Sequence, residues 1–171
     1  YSSAASDVYK RQVPVGFKWV SAKMSETGAI IGGESSGGMA VRGHISGKDG
    51  IYAAALLVEM LAVTGKSVSE LFAEITAQYG NPCWAEADFR MTPERKAELQ
   101  KLLFSEKRVP EFGTAVDHIS LEDGCKVYFK DGSWVICRFS GTEPLLRMAA
   151  EADEQAEAER CIWVWRTFLG L

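Results

Sequence analysis

The sequence predicts a partial α/β domain followed by an α+β domain, in which two helices cover a four-stranded antiparallel sheet. Up to about residue 82, helical spacing of apolar residues alternates with a short apolar run that ends in glycines. The pattern changes at Gly80, Asn81 and Pro82, three residues that commonly interrupt regular structure. Beyond them, Asp-Gly pairs at 123–124 and 131–132 separate alternating runs, as in β-hairpins. We therefore expect domains at 13–82 and 83–171.

Composition narrows the function classes. The 171 residues include 19 basic and 23 acidic side chains, a formal net charge of -4, without a long basic run. Binding to nucleic acid or to an anionic membrane through a broad cationic surface is therefore not expected. The longest apolar run is interrupted by Glu59 and is too short to span a bilayer. The four cysteines form no CxxC pair, which predicts reduced thiols in the cytoplasm and no metal site within this chain.

The first elements are predicted in the order leader, helix and strand. Residues 1–12 are small and polar without periodicity, and we interpret them as a non-native or unstructured leader. Phe17, Val20 and Met24 then recur at helical intervals and predict an amphipathic helix. The following "AIIGGE" is a short apolar run stopped by glycines, typical of a buried strand that ends in a loop.

Two further helices complete the predicted α/β part. Asp49 is suited to cap a helix over about residues 50–64, which is apolar on most sides and is expected to be buried on more than one face. Gly65 ends that helix. Another is predicted from Ser67 to Tyr79, since Glu70 lies three places after Ser67, as in a capping box.

The predicted α+β domain begins with the helical pattern "PERKAELQKLLF", which has proline in its first turn. Four strand-like runs follow: "VDHISLE", "CKVYFKD", "SWVICRF" and "LLRMAAEA". A last helix over about residues 153–168 is expected to turn Ala156, Ile162, Trp165 and Phe168 toward the core. An antiparallel sheet covered by the two helices is the simplest packing of these parts.

The connection between the last two runs, in "RFSGTEPLLR", has the composition of a phosphate site. Alternation places Arg138 at the end of one strand, and Arg147 lies near the start of the next. Ser140 and Thr142 add hydroxyls, and Gly141 lets backbone N–H groups approach a ligand. The planar guanidinium group binds phosphate in a bidentate manner through charge-assisted hydrogen bonds.

The alternative for the same loop is an ordinary polar hairpin. In that interpretation the arginines pair with Glu143 and Glu151 and bind no ligand. Glu143 supports this alternative, because a carboxylate beside a phosphate must point away or pair with an arginine.

A second group of polar residues follows the predicted buried strand in "GGESSGG". Glu34 and Ser36 lie two apart, so in an extended segment they point to the same side and can bind neighbouring sugar hydroxyls. The alternative is a flexible turn with a solvated Glu34. Lys48 and His44 come shortly afterwards, and Lys48 is either a solvated charge or a group that binds phosphate or moves a proton.

Together these motifs resemble the C-terminal half of the α-D-phosphohexomutases, the phosphoglucomutases and phosphomannomutases. "GESSG", "KDGI" and "RFSGTEPLLR" occur in the family's order and at a similar separation. The resemblance covers nearly all of residues 13–171. It implies that residues 13–82 belong to the third, sugar-binding domain of these enzymes and residues 83–171 to the fourth, phosphate-binding domain.

The resemblance also implies roles for individual residues. Family members are isomerases that move a phosphoryl group between the 1- and 6-oxygens of a hexose, through a bisphosphate that turns over in the site. Glu34 and Ser36 would bind sugar hydroxyls, and Lys48 would touch the ligand as a candidate acid or base, ahead of His44. The non-transferring phosphate would be bound by Arg138, Ser140, Gly141, Thr142 and Arg147. Gly38 departs from the pattern, since many relatives have histidine at that place.

Two family features are absent from this sequence: the phosphorylated serine of the first domain and the Asp-x-Asp-x-Asp magnesium loop of the second. The resemblance therefore implies that Mg²⁺ is bound by missing N-terminal domains, with glucose 1,6-bisphosphate as activator and intermediate. We expect a C-terminal piece that binds glucose or mannose phosphates and is inactive alone. The alternative is a free-standing sugar-phosphate binding module without catalysis.

Overall fold

The computed structural model describes residues 10–141 and 143–171, which form two compact units divided between Gly80 and Asn81. The predicted leader, residues 1–12, lies outside the described residues except for its last three. No single described helix is long and apolar enough to cross a membrane. Two consecutive helices, Gly50–Thr64 and Val68–Tyr79, meet that criterion only as a pair, bent by 85°.

The first unit consists of three helices and a small hairpin. Helix α1 (Phe17–Thr27) precedes strands β1 (Ile31–Gly33) and β2 (Met39–Val41), which pair antiparallel with Gly32 opposite Ala40. Helices α2 (Gly50–Thr64) and α3 (Val68–Tyr79) follow. A Cβ atom at Gly32 would come within 2.5 Å of Val20 Cγ1, so the absence of a side chain lets α1 lie directly against β1.

The predicted helix ends of this unit are confirmed. The Asp49 carboxylate accepts hydrogen bonds from the backbone N–H groups of Ile51 and Tyr52, both at 3.0 Å, and so caps α2. Gly65 ends that helix in the left-handed region. Ser67 and Glu70 form the reciprocal capping box at the start of α3.

The burial predicted for this unit is wrong. Ile31 in β1 is 59% exposed, although its run was expected to form a buried strand. None of the residues of α2 is buried, although its apolar composition predicted contacts on more than one face. The amino-acid composition of an element gives the amount of its apolar surface. Whether that surface is buried also depends on which other elements pack against it. The described part of the chain leaves these side chains uncovered.

The second unit is an antiparallel sheet with helices on one face. Its strands are β3 (Cys83–Arg90), β4 (Val116–Ser120), β5 (Cys125–Phe129), β6 (Trp134–Phe139) and β7 (Leu145–Ala152), in the spatial order β3-β7-β6-β5-β4. Helix α4 (Pro93–Gln100) runs into a π-helical turn (Lys101–Ser105), and α5 (Gln155–Leu169) ends the chain. The α+β class and both Asp-Gly hairpins are confirmed.

The sheet has five strands, so the predicted number of four is wrong. The additional strand, β3, pairs along its whole length with β7. It escaped prediction because alanine and acidic residues, which occur rarely in strands, occupy half of "CWAEADFR". Tertiary pairing with a strand more than fifty residues later overrides this weak local preference.

The core lies between the sheet and α5. Val135 and Cys137 point into it, whereas Trp134, Ile136 and Arg138 lie on the other face, as alternation predicted. Trp165 of α5 is fully buried, with its ring 5.9 Å from that of Phe112. The prediction that Ala156 faces the core is wrong, since this residue is exposed. The buried face of α5 begins at Ala158 and continues at helical spacing from there.

The four cysteines are free, and three of them are enclosed in this core. Burial raises the pKa of the Cys125 and Cys161 thiols to about 11, and it raises that of Cys137 as well. Cys83, at the start of β3, is only partly covered. The three enclosed side chains therefore act as small apolar core residues.

Arg160 ties α5 to the segment before β4. It donates to Glu157 Oε2 at 2.7 Å, to Thr114 Oγ1 at 3.0 Å and to the Phe112 carbonyl. The hydrogen bond from Arg160, aided by its charge and by Thr114, holds the pKa of Glu157 below its usual 4.5. The ionised form of Glu157 therefore contributes to stability.

Acid should remove this contribution. Because the folded-state pKa is depressed, the stabilisation is fully present above about pH 4.5 and is lost as the pH falls through the folded value. We expect Glu157→Gln to lower the melting temperature at neutral pH, with a difference from wild type that shrinks below about pH 4.5. Glu98→Gln, which removes an exposed acid from α4, is the control. A pH-independent difference for Glu157→Gln would contradict this assignment.

Candidate functional site

The predicted sugar-binding residues lie in the turn that joins β1 to β2. The backbone N–H of Glu34 donates to the Gly38 carbonyl at 2.9 Å, and that of Gly37 donates to the Glu34 carbonyl at 3.0 Å. Gly37 has a φ of +86°, which glycine adopts without strain. The segment is therefore a tight turn, and the extended conformation assumed for Glu34 and Ser36 is wrong. Ser36 is exposed at the tip of this turn.

Glu34 and Lys48 form an ion pair beside the turn. The lysine Nζ contacts Glu34 Oε2 and lies 5.4 Å from the centre of the Phe17 ring. The Glu34 side chain is 19% exposed, so most of this carboxylate is enclosed. The carboxylate and the ammonium group together offer an acceptor and a donor at one place, which suits a ligand with neighbouring hydroxyls.

Gly38 determines where Lys48 can lie. A Cβ atom at this position would be 2.6 Å from Lys48 Cδ and 2.9 Å from Lys48 Cε. The lysine stem therefore crosses directly over the glycine, in space that any side chain at 38 would occupy. This contact gives a physical reason for the departure from the histidine that the resemblance leads one to expect.

His44 is held by other groups in the same unit. Its Nε2 donates to Asp49 Oδ2 at 2.8 Å, and its ring stacks on Tyr52 with 4.0 Å between the ring centres. The hydrogen bond from His44, together with the backbone N–H groups of Tyr52 and Ile51, lowers the pKa of Asp49. His44 is thus bound to the residue that caps α2, and Lys48 is the group directed at Glu34.

The predicted phosphate-binding residues lie around the β6–β7 hairpin of the second unit. Arg138 and Arg147 are direct cross-strand partners on the face of the sheet that is free of helices. Within residues 10–141 and 143–171, Arg138 forms no ion pair with a carboxylate. Arg147 bonds Glu143 at 2.8 Å and lies 3.8 Å from Asp88.

Part of the alternative hairpin interpretation is therefore present in the structure. The contact of Arg147 with Glu143 is the one that it predicted. Glu151, the other predicted partner, instead accepts a hydrogen bond from Trp134 Nε1 at 3.2 Å. Asp88 was not anticipated, because the strand that carries it was not predicted. Both acids are about half exposed, so these pairs with Arg147 are open to competition from solvent or from an anion.

The loop itself is held by its backbone. Ser140 is buried, its N–H donates to the Leu145 carbonyl at 2.9 Å, and its Oγ accepts from the Glu143 N–H at 3.2 Å. Gly141 is exposed, and Thr142 lies outside the described residues. The backbone at Gly141 is therefore exposed and open to a ligand.

Lys96 is a cation at this loop that the sequence did not reveal. Its Nζ donates to the Ser140 carbonyl at 3.2 Å, and it lies 5.9 Å from the centre of the Phe139 ring. The only signal was its place in the basic helix start "PERK", far from the loop in sequence. Lys96 both fixes the loop and adds positive charge close to it.

The described residues do not provide a metal site. Across residues 10–141 and 143–171, no three His, Cys, Asp or Glu side chains come together in a way that would hold an ion. The Mg²⁺ that the resemblance implies therefore has no ligand set in this part of the chain.

Both units match known protein domains. Residues 4–79 match "Phosphoglucomutase/phosphomannomutase, alpha/beta/alpha domain III", and residues 88–162 match the "Phosphoglucomutase/phosphomannomutase, C-terminal domain". The chain belongs to the phosphoglucomutase/phosphomannomutase family. The motifs in the two loops fall within these two matched ranges.

Individual relatives agree with this family. A "Phosphoglucomutase/phosphomannomutase" of Thermococcus kodakarensis is 33% identical over 165 residues, covering 92% of this chain and 33% of the relative. A "Probable phosphoglucosamine mutase" of Methanopyrus kandleri is 37% identical over 144 residues, covering 84% of this chain and 30% of the relative. A crystal structure of a putative phosphomannomutase from Thermus thermophilus has a TM-score of 0.67 and 27% identity, covering 92% of this chain and 30% of that one. The chain thus spans about a third of the length of the curated relatives it matches.

The contact between Gly38 and Lys48 yields a prediction. Gly38→Ala should displace the lysine stem and break its contact with Glu34, with little effect on folding because the stem is flexible. We expect Gly38→Ala and Lys48→Ala to weaken binding of glucose 1-phosphate to a similar extent. The double variant should lose no more than either single one, because both changes remove the same contact.

Calorimetric titration of the three variants and wild type measures these effects. Gly47→Ala is the matched control, because no atom lies within 4 Å of a Cβ at that position. Additive losses in the double variant would contradict a shared action through Lys48.

Proposed function

We propose that this chain supplies the sugar-hydroxyl and phosphate contacts of a phosphohexomutase, an isomerase that interconverts hexose 1-phosphate and hexose 6-phosphate through a bisphosphate. Family membership supports the reaction class. The two loops support the assignment of sugar binding and phosphate binding to different residues. In this proposal Glu34, Ser36 and Lys48 bind the sugar. The phosphate that is not transferred is bound by Arg138, Ser140, Gly141, Thr142 and Arg147.

The observation that carries the proposal is the pairing of Arg138 with Arg147. Like charges directly opposite each other on neighbouring strands are unfavourable. The partial compensation by Glu143 and Asp88 falls on Arg147, which leaves the charge of Arg138 available. A dianionic phosphate would neutralise both guanidinium groups and accept several of their N–H donors at once. In a purely structural hairpin, these ion pairs would account for Arg147 but not for the placement of Arg138 opposite it.

The contacts within the first unit support a role in sugar binding. The enclosed Glu34 carboxylate would accept hydrogen bonds from hydroxyls, and Lys48 would donate to an oxygen of the ligand. Lys48 is also the candidate acid or base, since its contact with Glu34 would bring it beside a sugar that Glu34 binds.

The rest of the chemistry would come from the parts of the family's proteins that this chain does not span. The proposal assigns the phosphorylated serine to those parts. Mg²⁺ bound there would neutralise charge on the phosphoryl group during transfer. Glucose 1,6-bisphosphate would act as activator and intermediate, and glucose or mannose phosphates would be the substrates. A cytoplasmic location stays a prediction, consistent with the four free thiols.

The arginines provide a direct test. Arg138→Ala and Arg147→Ala should each weaken glucose 1-phosphate binding by about ten- to a hundredfold, since one charge-assisted hydrogen bond is worth about 1.5–3 kcal/mol. Arg147→Lys should also lose much of the affinity, because an ammonium group cannot replace a planar fork. Calorimetric titration and thermal melts of the same samples give affinity and stability together.

Arg108→Ala, which removes an exposed arginine from the connection after the π-helical turn, is the matched control. The melting temperatures of the loop variants should change little, because exposed ion pairs contribute only about 0–1 kcal/mol. If the melting temperature falls while affinity is unchanged, Arg138 and Arg147 serve the fold and the phosphate assignment is wrong.

A second test concerns catalysis. The 171-residue chain alone, with glucose 1-phosphate, Mg²⁺ and glucose 1,6-bisphosphate, should show no mutase turnover in a coupled assay, because it has no phosphoserine motif. Adding the first two domains of a relative as a fusion should restore turnover. Turnover by the chain alone would contradict the proposed division of roles. Binding without restored turnover in the fusion would favour a non-catalytic sugar-phosphate module.

A further inference from the structure

The backbone N–H of Gly141 is a hydrogen-bond donor that the β6–β7 loop does not use itself. The N–H of Ser140 donates to the Leu145 carbonyl at 2.9 Å, and that of Leu145 donates to the Glu143 carbonyl at 2.8 Å. The N–H of Glu143 donates to Ser140 Oγ at 3.2 Å, and Pro144 has no N–H. Within residues 10–141 and 143–171, the N–H of Gly141 has no acceptor.

Lys96 of α4 determines the direction of this N–H through the carbonyl that precedes it. The lysine Nζ donates to the Ser140 carbonyl oxygen at 3.2 Å. The peptide bond between Ser140 and Gly141 is trans. In a planar trans peptide the carbonyl oxygen and the following N–H point in opposite directions. While the Ser140 carbonyl points at Lys96, the Gly141 N–H therefore points away from it.

Lys96 reaches the loop from the face of the sheet that the helices cover. Its Nζ lies 5.9 Å from the centre of the Phe139 ring, and Phe139 packs against the core on that face. Arg138 and Arg147 lie on the opposite face. A donor that points away from Lys96 therefore points toward the side of the sheet on which the two guanidinium groups lie. The three kinds of donor converge on one place.

We propose that Lys96 is a positioning residue of the phosphate site, which turns the Ser140–Gly141 peptide so that its N–H faces the anion. One phosphate oxygen accepts a hydrogen bond from Gly141, and the others accept from Arg138 and Arg147. Without the lysine this exposed peptide is free to rotate and to turn its carbonyl oxygen toward the phosphate, which repels it. The inference rests on the proposed function, and it adds a residue that lies 44 positions before the loop in sequence.

The first test removes the donor and keeps the apolar stem. Lys96→Met in the 171-residue chain should weaken glucose 1-phosphate binding by about tenfold, because a hydrogen bond to a charged group is lost. Lys101→Met is the matched control, since it removes one lysine, 74% exposed, from the adjoining π-helical turn. Its effect should be less than about twofold. Calorimetric titration gives the affinities, and thermal melts of the same samples give the stabilities.

A double-mutant cycle tests whether Lys96 acts through the Gly141 N–H. Gly141→Pro removes that N–H, and proline is compatible with the site because Gly141 does not have a positive φ and no atom beyond its chain neighbours lies within 4 Å of a Cβ there. In the Gly141→Pro background, Lys96→Met should cause no further loss of affinity, because both changes remove the same contact.

Salt separates positioning from simple attraction and does not depend on the proline variant. The attraction of an exposed charge for a phosphate is screened at high ionic strength. The orientation of a peptide by a hydrogen bond is much less sensitive to salt. The ratio of the wild-type affinity to that of Lys96→Met should therefore persist at high salt, although both affinities fall.

Three outcomes would overturn this inference: equal affinities of Lys96→Met and Lys101→Met, additive losses in the Gly141→Pro background, and an affinity ratio that disappears at high salt. The arginine variants show which proposal has failed. If Arg138→Ala and Arg147→Ala weaken binding and Lys96→Met does not, only the role of Lys96 is wrong. If all three variants bind as wild type does, the phosphate site itself is wrong.

Discussion

The antiparallel register between β6 and β7 determines both the core and the candidate phosphate site of the second unit. It directs Val135 and Cys137 inward and, by the same alternation, sets Arg138 beside Arg147 on the opposite face. A shift by one residue would bury the arginines and expose the core, at a large cost in free energy. The apolar residues that stabilise the sheet thus also fix the geometry of the charged pair.

The first unit is organised differently. Its candidate sugar site depends on the close approach of neighbouring segments at two glycines, and not on a buried core. Gly32 lets α1 lie against β1, and Gly38 lets the Lys48 stem cross the turn. The apolar side chains of α2 and α3 remain open to solvent in the described residues. Soluble proteins seldom leave so much contiguous apolar surface uncovered. Among the described residues this unit has only a two-stranded hairpin as its sheet, which offers the helices little apolar surface to pack against.

The features that the sequence predicts correctly are the local ones. Capping residues such as Asp49, Asp-Gly turns and side-chain alternation depend on a few neighbouring residues, and each was found where expected. The failures concern distant partners. β3 forms because β7 is present, and Lys96 reaches the loop only through the packing of α4. The residue types around Glu34 do not predict its turn, because the turn is held by backbone hydrogen bonds that any residue can make.

The distribution of the cysteines has a practical consequence for spectroscopy. Thiolates are the reactive form, and burial keeps Cys125, Cys137 and Cys161 protonated and out of contact with reagents. Cys83 is the one cysteine with solvent access, and it stands at the first position of β3. A maleimide dye or nitroxide added to the native protein should therefore attach at a single, defined place without any engineered residue. The natural sequence thus carries its own labelling position at the edge of the sheet.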